Sequence, residues 1–145
     1  MKLKFYDQYC NLFLFSNKIS YKYEKPLKNE DKLNKFERSN NLRIPDDIKK
    51  LIVKYSGGMP SPCKLKLKHN TVIIQQILTD SELETVYNNI KNTRTLKNFI
   101  PFCDTSSGDI IAVDAKSNKI YLIDHETYKK YFISNNLFDF LDMLC

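Results

Sequence analysis

The chain has 145 residues, 42% of them hydrophobic, and a formal net charge of +6 from 23 Lys/Arg against 17 Asp/Glu. That length builds one core and leaves no room for two domains, and no apolar run approaches the roughly 18 residues of a membrane-spanning helix. Four widely spaced cysteines, Cys10, Cys63, Cys103 and Cys145, form no C-x-x-C pair, so reduced thiols are expected in place of a disulfide framework or a zinc site.

The opening MKLK has the charge of a signal peptide. Asp7 and Gln8 interrupt the segment after it, no small-residue cleavage site appears, and a cytoplasmic chain is expected. Residues 1–25 admit two readings: a helical stripe of Tyr6, Tyr9, Cys10 and Phe13, or two strands, NLFLF and ISYKY, around Ser16-Asn17-Lys18, with the hairpin preferred. Pro26 marks a boundary between an N-terminal extension, 1–25, packed on the domain, and a domain over 26–145. Asn29 can cap a short helix to about Asn40 with Leu33 and Phe36 inward. In IPDDIKKLIVKYSGG, Pro45 suits the first helical turn and Asp46 and Asp47 complement the positive end of the helix dipole. Ile48, Leu51, Ile52 and Tyr55 recur at helical spacing, and Gly57 or Gly58 supplies the left-handed residue that ends the helix. That Gly pair comes after a helix and lacks GK[ST], which argues against a phosphate loop.

MPSP reads as a turn. KLKLK alternates, with Leu65 and Leu67 on one face and Lys64, Lys66 and Lys68 on the other, as in an edge strand guarded by charge. His69-Asn70 returns the chain into TVIIQQIL, and Thr79 with Glu82 forms a capping box ahead of Leu83, Val86, Tyr87 and Ile90. FIPFC is short, and Pro101 predicts a sheet edge or a strand start. DIIAVD and KIYLID, joined through residues 115–118, read as a hairpin covered on both faces, and YKKYFI as a further strand. Ser134 is the expected cap of a last helix with Leu137, Phe138, Leu141 and Leu144 inward. Helices, then mainly antiparallel strands, then a closing helix make an α+β domain.

Charge is uneven: residues 1–68 carry 16 Lys/Arg against 7 Asp/Glu, and residues 69–145 carry 7 against 10. A basic half can attract nucleic acid. Only three arginines, Arg38, Arg43 and Arg94, are available for bidentate phosphate recognition, and no RNP-like aromatic motif is present. Solvated lysines are the preferred reading.

The polar stretch FCDTSSGDIIAVDAKSNKIYLIDHE holds five carboxylates, a Cys and a His. Cys103 and His125 have the residue types of a thiol–imidazole pair, but Cys103 sits as an ordinary buried strand residue. Asp104-Thr105 lacks the Gly and the second copy of an aspartic-protease motif. Asp104, Ser106, Asp109 and Asp114 offer hard oxygens without EF-hand spacing, and in a strand Asp124, His125 and Glu126 would alternate faces and not converge. No metal, cofactor or catalytic residue is therefore expected. Ser106, Ser107, Gly108 and the aspartates are turn formers that border a β-hairpin, and they can present an acidic surface to a partner.

Taken in order, FERSNNLRIPDDIKKLIVKYSGGMP, IPFCDTSSGDIIAVDAKSNKIYLIDHE and ISNNLFDFLDML resemble the SUKH superfamily, which includes SMI/KNR-type proteins and bacterial toxin-immunity proteins. The positions that carry the likeness are Glu37, Ile44-Pro45, Gly57-Gly58, Ile100-Pro101-Phe102, Gly108-Asp109, Asp124-His125 and the run 137–141, over about residues 30 to 144. The chain departs from the pattern in its basic charge, its lack of Trp and its first 25 residues.

The resemblance implies a curved, mainly antiparallel sheet flanked by helices, and a non-catalytic module that binds and neutralises a cognate toxin. The alternative is a regulatory scaffold of the SMI/KNR type; a nucleic-acid-binding protein using Lys64, Lys66 and Lys68 ranks third. The expected partner-binding residues are Asp104, Asp109, Asp124, His125 and Glu126, with Tyr128 and Tyr131 as aromatic anchors.

Overall fold

The computed structural model describes residues 19–145. The helical stripe read at 6–13, the strand NLFLF and the turn at 16–18 lie outside the described residues. The other half of the expected hairpin is strand β1 (Ser20–Lys22), and it pairs antiparallel with β2 (Met59–Ser61), Tyr21 opposite Pro60. The MPSP segment is thus a strand, where its two prolines suggested a turn. Its partner lies far back in the chain, and local composition carries no record of such pairing.

Helix α1 (Asp31–Asn40) begins where Asn29 Oδ1 accepts the Asp31 N–H at 3.0 Å, and it buries Leu33 and Phe36. Helix α2 (Asp46–Tyr55) buries Ile48, Leu51 and Ile52, with Pro45 one position earlier than expected, at the N-cap. Tyr55, on the same stripe, is half-buried because its ring stacks on Tyr21 at 3.8 Å between centroids. Gly57 takes the left-handed conformation (φ +75°) just beyond the helix. At Gly58 the demand is space, since an added Cβ would sit 2.9 Å from the Tyr55 carbonyl oxygen.

The main sheet is a six-stranded antiparallel meander in chain order: β3 (Lys64–Lys66), β4 (Thr71–Ile77), β5 (Phe99–Thr105), β6 (Ile110–Asp114), β7 (Ile120–Ile123) and β8 (Lys130–Ser134). β3 is the predicted lysine edge, with Leu65 buried and Lys64 and Lys66 exposed. β5 contradicts the edge expectation, for it runs seven residues through the sheet interior. The register slips between Pro101 and Cys103, and this bulge accommodates a residue that has no N–H to donate.

Helix α3 (Asp80–Ile90) crosses from β4 to pack on β5. Its capping box is formed: Thr79 accepts the Glu82 N–H and Glu82 accepts the Thr79 N–H, worth about 1 kcal/mol. The closing helix α4 (Leu137–Asp142) is capped by Asn136, whose side chain accepts the Asp139 N–H at 2.8 Å. Ser134, the expected cap, instead donates to the Asn136 carbonyl. With the start two residues later, Phe140 replaces Phe138 on the inward face, and its ring meets Phe102 edge-on at 5.8 Å. These helices and the curled sheet make the α+β fold expected from the sequence.

Candidate functional site

The polar stretch divides between the two ends of the sheet. At one end, the β6–β7 turn, Asp114 accepts the Lys116 N–H at 3.0 Å and the Ser117 hydroxyl at 3.1 Å, so it serves its own turn. At the other end the β5–β6 and β7–β8 turns lie side by side and are tied together. Asp109 Oδ1 accepts the backbone N–H of His125 at 3.1 Å and meets the imidazole Nδ1 at 2.7 Å.

Local chemistry prepares this contact. Buried Thr105 accepts the Asp109 N–H at 3.0 Å through its hydroxyl, and Gly108 at φ +89° closes the turn directly beneath the His125 ring. Ser107 donates to Asp109 Oδ2 at 3.3 Å. On the facing turn, Asp124 Oδ1 accepts the amides of Glu126 and Thr127 at 2.8 and 3.0 Å, bonds that hold its carboxyl below the usual range. The hydrogen bond to Asp109, with the charges of Asp109, Glu126 and Asp124, raises His125 above its ordinary 6.5.

Between these turns and α3 runs a groove of about 450 Å³, lined by Val86, Asn89, Asp104, Ser106, His125 and Tyr128 among others, with no Lys or Arg on its walls among the described residues. Asp104 is the least satisfied group in it. Its Oδ2 accepts from Gln76 Nε2 at 3.3 Å, an amide that also donates to Glu82 at 2.8 Å, while Oδ1 is buried with no hydrogen-bond partner among the described residues. Burial, and secondarily the Glu82 charge, push the Asp104 carboxyl up.

Of the expected site residues, Asp104, His125 and Tyr128 meet in the groove, and Asp109 and Asp124 adjoin it through the two turns. Glu126 is at the rim, 3.8 Å from His125 Nε2. Tyr131 stands apart on β8, half exposed. Asp124, His125 and Glu126 lie beyond the end of β7, so the strand alternation expected to separate them does not apply. Asp109, Asp124 and His125 each offer a ligand atom within 4.8 Å of the others. Asp109 Oδ1 and Asp124 Oδ1 already accept from His125 and from the turn amides. Cys103 is fully buried, and burial with the neighbouring Asp104 pushes its thiol well up, opposite to what a nucleophile requires.

The order of helix, Pro-started helix, Gly-Gly, IPF strand and turns bearing Gly108-Asp109 and Asp124-His125 keeps the positions on which the SUKH resemblance rests. The profile of the SUKH_6 family, described as SMI1-KNR4 cell-wall, matches residues 30–141. The chain belongs to this family. No curated protein matches it. Within the SUKH domain, Glu37 of the family pattern is a structural residue: Oε1 pairs with Lys49 at 2.7 Å and Oε2 accepts the Ile44 N–H at 2.7 Å. Sequence reasoning missed Lys49, Gln76 and Asn89. Only Gln76, two positions before the end of the β4 apolar run, had a signal, as a polar residue inside a strand.

Proposed function

We propose that this SUKH domain is a non-catalytic protein-binding module that neutralises a cognate toxin by docking on it through the face formed by the β5–β6 and β7–β8 turns. Family membership supports the class. The observation that carries the face is the Asp109–His125 tie, which fixes two turns beside a groove that presents Asp104 and Tyr128 on an otherwise basic protein. A rigid acidic face of this kind favours a basic partner surface and speeds its approach. The words "cell-wall" in the family's description favour, as a second reading, a regulatory scaffold using the same face.

The test is affinity capture of the tagged full chain from its native extract with a nuclease-treated control, followed by titration of the recovered partner. Asp104→Lys combined with Glu126→Lys is expected to weaken the complex at least tenfold at low salt with the fold intact. Unchanged affinity removes this face. Recovery that requires nucleic acid moves the function to the Lys64, Lys66 and Lys68 strand, with binding that falls steeply with salt.

A further inference from the structure

The sheet has two edges, and they are treated differently. On β3 the C-terminus closes the strand: the Lys64 N–H donates to the Cys145 carbonyl at 3.1 Å, the Cys145 N–H returns to Lys64 at 2.9 Å, and Leu65 bridges to Leu144. β8 pairs only with β7 among the described residues, and it carries two of the most exposed large apolar side chains, Tyr131 at 50% and Phe132 at 53%. An open edge with exposed aromatics is a template for strand addition.

The hydrogen-bonding parity of β8 can be read from its turn. The Asp124 N–H donates to the Lys129 carbonyl at 2.9 Å, and Leu122 lies opposite Tyr131. The backbone of Lys129 and Tyr131 therefore faces β7, and the N–H and C=O groups of Lys130 and Phe132 face outward. On the sheet face shared by Lys130 and Phe132, aromatic rings form a ladder: Phe99 meets Tyr121 at 5.3 Å, and Tyr121 meets Phe132 at 5.8 Å. The Lys130 ammonium lies 4.9 Å from the Phe99 ring centroid.

We propose that β8 is a self-association edge, which pairs antiparallel with β8 of a second copy about a two-fold axis at Tyr131. This register is dictated by the strand itself. It places Lys130 opposite Phe132 of the other copy as a hydrogen-bonded pair, so all four outward backbone groups of each strand are used. Tyr131 then faces Tyr131 in the closely spaced, non-hydrogen-bonded position, where aromatic pairs gain most. Each Phe132 ring lies beside the other copy's Lys130 and lengthens a cation–π arrangement already present. No lysine meets a lysine, because Lys130 falls opposite Phe132, and the regular pairing ends there, where the register shift leaves Ile133 as an extra residue. The two copies repel through their net charge of +6 each, so association strengthens as salt rises.

The experiment is sedimentation equilibrium of the full chain from about 10 µM to 1 mM, a range suited to an interface of two short strands. A monomer–dimer equilibrium that tightens with salt is expected. Tyr131→Lys alone and Tyr131→Glu alone are each expected to weaken it at least tenfold, and an equimolar mixture of the two to restore dimers, because only residues facing their own copy respond in this way. Backbone amides of Lys130 and Phe132 should exchange more slowly as concentration rises. A monomer throughout the range overturns the proposal, and protected β8 amides in that monomer would assign the edge to another segment of the chain. Dimers indifferent to Tyr131→Lys, or not restored by mixing, overturn it as well.

Discussion

Glu37 in the α1–α2 corner and Asp109 in the β5–β6 turn are built alike. Each carboxylate accepts a distant backbone N–H and holds a basic side chain: Ile44 and Lys49 for the first, His125 twice for the second. Their surroundings differ. The Glu37 and Lys49 side chains are 16% and 12% exposed, whereas His125 is 46% exposed. The carboxylates are alike, Asp109 being 18% exposed, so the difference lies in the basic partner: a nearly buried ammonium has little to replace a lost carboxylate, whereas a half-exposed imidazole is rehydrated at once. The first tie is therefore a stability element, and the second mainly fixes the geometry of a face.

Removing the buried tie has the largest expected effect. Glu37→Ala leaves the Ile44 N–H without its acceptor and Lys49 with Asn34 Oδ1, 3.0 Å away, as its one remaining side-chain partner among the described residues. A loss of about 3 kcal/mol is expected, read as a lower midpoint in chemical denaturation. Glu37→Gln, which keeps an oxygen for the amide, should recover part of it. A loss below about 1 kcal/mol would erase the distinction between the two ties.

The next effect tests whether the exposed tie depends on the backbone below it. Gly108→Ala puts a Cβ 3.7 Å from His125 Nδ1, an ordinary contact, so the cost comes from φ +89° alone. About 1–2 kcal/mol is expected. If stability is unchanged, the turn can relax and does not position Asp109.

The two regions were also unequally legible. Helix α2, the Thr79–Glu82 capping box and the β6–β7 hairpin arise from neighbouring residues, and their periodicity and turn chemistry show in the sequence. Strand β2, the interior place of β5 and the Glu37–Lys49 pair depend on contacts between distant segments, which no local pattern encodes. Pro101 misled because its penalty is absorbed by a bulge that only the partner strand reveals. At the site, the turn roles of Asp109, Gly108 and Asp124 were readable from residue type. That His125 bonds to Asp109 while Asp114 serves the opposite end of the sheet required the strand register.

The smallest effect is a pH dependence confined to the exposed tie. The imidazole of His125 is raised above its ordinary 6.5, chiefly by its hydrogen bond to Asp109. The folded state therefore holds the proton more tightly than the unfolded chain. The resulting stabilisation is complete below the unfolded value and is lost as pH rises through the folded one. As pH rises above the ordinary imidazole value of 6.5, the native protein should lose a little stability that Asp109→Asn largely lacks, and the His125 titration followed by NMR should move down in that variant. Glu37→Gln should leave the His125 curve where it was, because the Glu37–Lys49 tie contains no imidazole and belongs to the other region. If Asp109→Asn leaves the titration unmoved, Asp109 does not hold the ring, and the clamp between the two turns rests on the His125 backbone N–H alone.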